Sequence, residues 1–308
     1  MSFTAKDVQT LREKTGVGMM DCKKALAAAD GDMEKAIDFL REKGLAAATK
    51  KASRIAAEGV VLAYYDEAKK IGAVVEVNSE TDFVAKNEEF KSFVLNIAKT
   101  IAAENPADVD ALLNVKLLGS DRTVQENLQD KILSIGENLK IRRFARTEGI
   151  VATYVHGGGT VGVMVQFDTD EATATSEAFK VMGKDVAMQI AAMNPQYLDE
   201  ASVPAETIEH EKEILAAQLQ EDEKMKNKPA KVIEGIISGR ISKLFKEICL
   251  LDQQYVKDGD LTVSKYIDSV AKELNAQIKI VSFVRFAKGE GLQKKEDNFA
   301  DEVAKMVQ

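Results

Sequence analysis

Residues 61–80, VLAYYDEAKKIGAVVEVNSE, match residues 151–170, VATYVHGGGTVGVMVQFDTD, and this internal repeat decides the fold. Tyr64 aligns with Tyr154, Gly72 with Gly162, and Glu76 with Gln166. Each copy holds two runs of alternating β-branched residues joined by a charged or glycine-containing turn, the pattern of a β-hairpin. A helix is predicted after each hairpin. Phe90, Val94, Ile97 and Ile101 recur at helical spacing in the first copy, and Phe179, Met182, Val186 and Ile190 in the second. Both runs stop alike, at AENP (103–106) and AMNP (192–195), where proline ends a helix. The offset between the copies drops by one residue between Glu76 and Phe90. Two related β-hairpin-plus-helix subdomains make the fold class α+β.

Working outward, the first forty residues read as three short helices. Thr4 and Asp7 form a capping box ahead of Val8, Leu11 and Thr15, and TGVG (15–18) ends that helix. A second helix runs from about Met20 to Ala29, with Asp21 favourably placed in its first turn. Asp32 caps a third, with its stripe at Ala36, Ile37 and Leu40, and Gly44 is expected to stop it. The alanine-rich stretch that follows, with Lys50, Lys51 and Arg54, reads as a linker with some helical character. Beyond the second copy, Ile208, Lys212, Leu215 and Leu219 step along one helix. KNKP (226–229) makes a turn, and Ile233, Ile237, Ile241, Leu244 and Ile248 return along another, as the seam of a helical hairpin requires. An apolar strand at Ile278–Phe286, a GEG turn at 289–291 and a last helix near Asp297–Val307 complete the chain. The expected divisions are 1–43 (three-helix module), 44–58 (linker), 59–140 and 141–203 (the two subdomains), 204–250 (hairpin) and 251–308 (strand and helical module).

Composition excludes more than it selects. A net charge of −8 on 308 residues argues against a non-specific grip on nucleic-acid backbones, which needs a basic surface. The two cysteines, Cys22 and Cys249, lie far apart, so neither a disulfide scaffold nor a four-cysteine metal site is available. No run of about 20 apolar residues and no signal-peptide pattern is found, which sets cytoplasm as the expected compartment. Two histidines leave little scope for acid–base catalysis. His156-Gly-Gly-Gly invites an oxyanion or phosphate-loop reading, but the next residues alternate like a strand rather than opening a helix, so a tight hairpin turn is favoured. His210 sits among glutamates and reads as solvated, and Cys22 as packing. By position alone, Met19 and Met20 read as core ahead of binding surface.

The segment Ser79–Glu88 is where the copies part. The second copy has Asp170-Glu-Ala-Thr-Ala-Thr and no aspartate–phenylalanine pair. Were Phe83 a core residue common to both subdomains, an apolar partner would stand there. An aromatic with a flanking carboxylate at a loop–helix edge instead suits a partner's pocket. Against this, Phe83 is seven residues before Phe90 and in helical phase with it, although Lys86 and Asn87 break the stripe.

LREKTGVGMMDCKKAL (11–26), ETDFVAKNEEF (80–90), SIGENLKIRR (134–143), YVHGGGTVGV (154–163) and FVRFAKGEGLQKKED (283–297) together resemble the bacterial elongation factor Ts family, over essentially the full chain. The resemblance implies a guanine-nucleotide exchange factor for elongation factor Tu, met in its nucleotide-free or GDP form. It also implies an N-terminal ubiquitin-associated-like module, a two-part core, an inserted antiparallel coiled-coil hairpin and a C-terminal helical module. Carried over by motif, Arg12, Met19 and Met20 would touch a helix of the GTPase domain. Asp82 and Phe83 would enter near its magnesium site, and Ile135, Gly136 and His156 would face its third domain or adjoining surface. Val256 would add a peripheral contact, beside a Lys257 more polar than the family pattern suggests. Such a protein needs no catalytic residue, cofactor or metal of its own, and self-association is compatible with the hairpin. The rival expectation is a binding adaptor or chaperone without exchange activity.

Overall fold

The computed structural model describes residues 3–222 and 228–293. Lys226 and Asn227 of the expected turn, and the helix expected near Asp297–Val307, lie outside them. In chain order the elements are α1 (Ala5–Thr15), α2 (Met19–Ala28), α3 (Met33–Lys51), β1 (Glu58–Asp66), β2 (Ile71–Ser79), α4 (Asp82–Lys86), α5 (Glu88–Glu104), α6 (Val109–Asn114) and α7 (Val124–Ile135). They continue with β3 (Lys140–Glu148), β4 (Ile150–His156), β5 (Val161–Asp168), α8 (Glu171–Thr175), α9 (Glu177–Met193), α10 (Ala205–Glu221), α11 (Ala230–Ile248), β6 (Gln254–Tyr255), β7 (Asp258–Thr262), α12 (Val263–Glu273) and β8 (Lys279–Ala287). The fold is α+β. Among the described residues no helix is long and apolar enough to cross a membrane.

Two antiparallel three-stranded sheets, ordered β1-β2-β3 and β4-β5-β8, stack face to face with a helix on each outer side. Val60, Ala73, Val75 and Val77 of the first sheet bury Phe90, Val94, Ile97 and Ile101 of α5. Val163, Val165 and Phe167 of the second bury Phe179, Met182, Val186 and Ile190 of α9. Val61, Val74, Val151 and Met164 fill the space between the sheets. The period-two alternation of each strand thus feeds two different cores. The aligned glycines hold the sheets close. A Cβ on Gly72 would come within 3.0 Å of Val151, and one on Gly162 within 2.5 Å of Val61. Since Val61 and Val151 are themselves repeat partners, each copy offers the same glycine to the same valine of the other.

The repeat extends further than a hairpin and a helix. KIRRFARTE of β3 and KIVSFVRFA of β8 occupy the same third place in their sheets. Both carry a bulge at the same point. Register passes from Glu76↔Arg143 to Val77↔Ile141 in one, and from Gln166↔Ser282 to Phe167↔Ile280 in the other. Helices α5 and α9 also end alike, on Asn105 and Asn194 in the left-handed conformation just before the two prolines. The expected boundary at 140/141 therefore falls at the start of a strand of the first sheet. The strand expected at Ile278–Phe286 is β8, third in the second sheet.

Gly44 does not stop the third helix, which runs on to Lys51, so the expected 44–58 linker is helical for half its length. Its second half docks on α7: Gly44 faces the Gln129 carbonyl, Ala48 joins the core of the first subdomain, and the Lys51 ammonium donates to the Ile132 carbonyl at 3.2 Å. That packing outweighs the roughly 1 kcal/mol that an interior glycine costs a helix. In the α10–α11 hairpin Leu219 and Ile241 are buried as expected. Lys212 instead faces solvent and pairs with Glu209, while Glu211 is half-buried in its stead.

One buried anion joins the ends of this architecture. Glu76 lies between the sheets with no exposure. Arg142 donates to its carboxylate at 3.1 Å, Arg143 Nε at 2.6 Å, Asn78 at 3.0 Å and the Gly289 N–H at 2.8 Å. The β3 bulge is what lets two consecutive arginines reach one carboxylate. Burial pushes the Glu76 carboxyl up, but the Gly289 N–H, Asn78 and the two arginines outweigh it and hold the carboxyl below its usual range.

Two outcomes follow. Gly162→Ala forces a methyl into Val61 and should destabilise the protein by about 1–3 kcal/mol, read from the midpoint of urea unfolding. For Glu76 the folded pKa is depressed, so its stabilisation is present above the unfolded value of about 4.3 and is lost as pH falls through the folded one. Glu76→Gln should therefore unfold more readily at pH 7 and show a shallower loss of stability below pH ~4.5 than the parent in acid titrations of unfolding free energy.

Candidate functional site

The residues singled out from sequence fall into three surface patches. The first is at the α1–α2 corner. Arg12, Met19 and Met20 are all exposed, Met20 the more so of the two methionines. Their reading as core does not hold: Gly18 starts α2 so that Cys22, Ala25 and Leu26 face inward, leaving its first two residues outside. Cys22 is buried against Thr15 and Val17, as its packing role required, and burial pushes its thiol up. Cys249 is likewise raised, to about 11, by burial.

The second patch lies at one end of the sandwich and unites three of the sequence segments. Phe83 is 80% exposed on α4. The helical phase that linked it to Phe90 is broken at Asn87, which ends α4 and caps α5, so the two phenylalanines sit on different helices with different fates. In the second copy Ser176 makes the same break, and the residue standing where Phe83 would be is Ala172. Asp82 beside Phe83 forms an ion pair with Lys86 at 2.6 Å, and this hydrogen bond holds its carboxyl below the usual range.

Helix α7 brings Ile135 and Gly136 to the same end. Ile135 is half-buried against the first core, and Gly136 ends the helix exposed and left-handed. The next two residues clasp the segment that carries Phe83. Glu137 accepts from the Glu80 N–H at 3.1 Å, the Thr81 N–H at 3.0 Å and the Thr81 hydroxyl at 2.6 Å. Glu80 in return accepts the Asn138 N–H at 2.6 Å, and Asn138 donates to the Arg54 carbonyl at 2.8 Å. Sequence reasoning passed over Glu80, Thr81, Glu137 and Asn138. The available signal was the polar GEN run directly after an apolar helix end.

His156 closes β4 at this end, exposed, with Nδ1 3.0 Å from the Tyr154 hydroxyl. Its carbonyl takes the Gly159 and Thr160 N–H groups, and the Gly159 carbonyl accepts from Val61 N–H of the other sheet at 2.8 Å. The glycine run is therefore a tight turn docked on β1, with strand β5 following and no helix to cradle an anion. The 287–292 turn lies alongside: Lys288 pairs with Glu58, and the Lys288 N–H donates to the Thr160 carbonyl.

Val256 is apart from these, exposed in the β6–β7 turn over α9. Its N–H donates to Gln189 at 2.8 Å. Lys257 reaches Asp185, itself buried and bonded to Tyr255 and Tyr266, so its charge is engaged within the fold. Among the described residues no group of His, Cys, Asp or Glu is placed to hold a metal ion. The arrangement thus offers an exposed aromatic, exposed methionines and fixed loops, suited to docking on a partner.

The sequence model of a family described as Elongation factor TS matches residues 80–290. The chain is 52% identical over 307 residues to the elongation factor Ts of Clostridium perfringens strain SM101, covering 99% of each chain. It is 49% identical over 310 residues to that of Clostridium kluyveri strain ATCC 8527, again covering 99% of each. The elongation factor Ts of Clostridium botulinum strain Eklund 17B is 49% identical over 308 residues, with the same coverage. By the matched motifs and by identity along its whole length, the chain belongs to the elongation factor Ts family.

Proposed function

We propose that this chain, as an elongation factor Ts, promotes GDP release from elongation factor Tu during translation elongation, with Asp82 and Phe83 as the element that opens the nucleotide site. The carrying observation is Phe83: a large apolar side chain, 80% exposed, on a five-residue helix tied down from behind. An aromatic so exposed and so firmly anchored is pre-organised for a pocket, which reduces the ordering cost of binding.

The mechanism is competition through coupled binding. GDP with its magnesium holds the GTPase in one arrangement, and the factor favours another in which Phe83 and Asp82 occupy space beside the metal. Whatever factor by which this chain weakens nucleotide binding, nucleotide weakens its own binding equally. Burying one phenylalanine contributes roughly 1.5–3 kcal/mol, about one to two decades of affinity. Larger effects need further surfaces. Ile135, Gly136 and His156 lie at the same end of the sandwich, while Arg12, Met19 and Met20 form a second foothold and Val256 a third. The GTPase supplies the nucleotide site, so the factor itself contributes shape and charge and makes or breaks no covalent bond.

Phe83→Ala should lower the stimulated rate of fluorescent GDP release from elongation factor Tu by about tenfold or more, with the melting temperature unchanged because the side chain is outside the core. An unaltered release rate would remove Phe83 from the mechanism. Parent protein that binds Tu without accelerating release would make the chain an adaptor instead.

A further inference from the structure

The short helix that presents Phe83 has no side-chain cap of its own, and the second copy of the repeat shows the alternative. There Asp170, immediately before α8, caps its own helix: Thr173 donates its N–H to one carboxylate oxygen at 2.9 Å and its hydroxyl to the other at 2.7 Å. That helix has its own cap and carries Ala172 at the place of Phe83. In the first copy Thr81 occupies the corresponding place, in extended backbone, and its side chain makes no cap to α4. Its hydroxyl and N–H, with the N–H of Glu80, go to Glu137 on the loop leaving α7. Glu80 takes the Asn138 N–H in the opposite direction. A self-made cap fixes a helix internally but leaves its orientation to the rest of the packing. A carboxylate from another loop fixes where the helix points.

We infer that Glu137 is a positioning residue for the exchange reaction, one that sets the direction of Phe83 and locks the Asp82–Phe83 segment to the Ile135–Gly136 surface. This rests on the reading of Phe83 given above. Two contact patches separated by more than fifty residues in sequence thereby approach a partner as one rigid unit. Loss of Glu137 leaves Phe83 exposed but samples several directions, so only a fraction of molecules is ready to bind. Apparent affinity falls by that fraction while the fully docked complex is unaltered. A purely structural residue would behave differently, lowering the melting temperature and the active fraction of protein.

The test titrates Glu137→Ala, Glu137→Gln, Phe83→Ala and the Glu137→Ala/Phe83→Ala double variant against elongation factor Tu loaded with fluorescent GDP, alongside melting curves. For Glu137→Ala the half-saturating concentration should rise about tenfold at an unchanged maximal release rate and melting temperature. Glu137→Gln, which keeps one acceptor oxygen, should rise less. In the Phe83→Ala background, Glu137→Ala should add less than about twofold, since a direction matters only while the side chain is present. If Phe83→Ala slows release and Glu137→Ala behaves as parent, the positioning role is overturned and the reading of Phe83 stands. A lowered melting temperature with equal losses in both backgrounds also overturns it, as structural. If Phe83→Ala itself has no effect, the reading of Phe83 fails first and the inference goes with it.

Discussion

Glu76 is the constraint on which the molecule hangs. A carboxylate with no solvent exposure is tolerable only if every donor it needs is delivered, and its donors come from three places in the chain: Asn78 on its own strand, Arg142 and Arg143 on β3, and the backbone of Gly289 far beyond. Removing any one leaves buried charge under-compensated, which costs far more than an exposed ion pair contributes. The requirement is met because the β3 bulge presents both arginines and the turn after β8 folds back onto the first sheet. In the second copy the same position is Gln166, which is satisfied by Ser282 and the Glu148 carbonyl and needs no cation. The anion therefore does more than stabilise: it tells one copy of the repeat from the other.

That asymmetry runs through the end of the sandwich that carries Phe83. The two copies share strands, bulges, helix ends and the reciprocal glycine contacts between sheets. Where they differ, the first copy has an exposed aromatic, an acidic neighbour and a clasp from α7, and the second has alanine and a local cap. The duplicated parts carry the packing, and the departures from duplication supply the surface that the proposed contact with the GTPase uses.

Much of this was legible in residues. Alternation and helical spacing identified both hairpins and both long helices, because these patterns report directly which face is buried. The mismatch between Phe83 and its counterpart foretold exposure, since a repeat keeps its core residues in step. What escaped notice depends on tertiary contact. Gly44 reads as a stop by propensity, and only the docking of α3 on α7 keeps the helix going. Met19 and Met20 are apolar in an apolar module, and nothing local says that α2 turns its first residues outward. The Glu80–Asn138 clasp joins residues almost sixty apart, a pairing that no single-sequence periodicity encodes.

The helical hairpin is inserted between the second and third strands of the second sheet, and this has a bearing on how the protein comes to be. β5 ends at Asp168, while β8, its hydrogen-bonded neighbour, begins at Lys279. The first sheet, from β1 to β3, is closed by a far shorter excursion through α4 to α7. Closing a long loop adds entropy only logarithmically, so the native state tolerates the insertion, but pairing across it is slow. A chain leaving the ribosome N-terminus first can complete β1-β2-β3 while the second sheet still lacks an edge and Glu76 still lacks the Gly289 amide. Among the described residues, a late-made turn thus seals the first-made sheet, so that the finished fold reports that synthesis has passed residue 289.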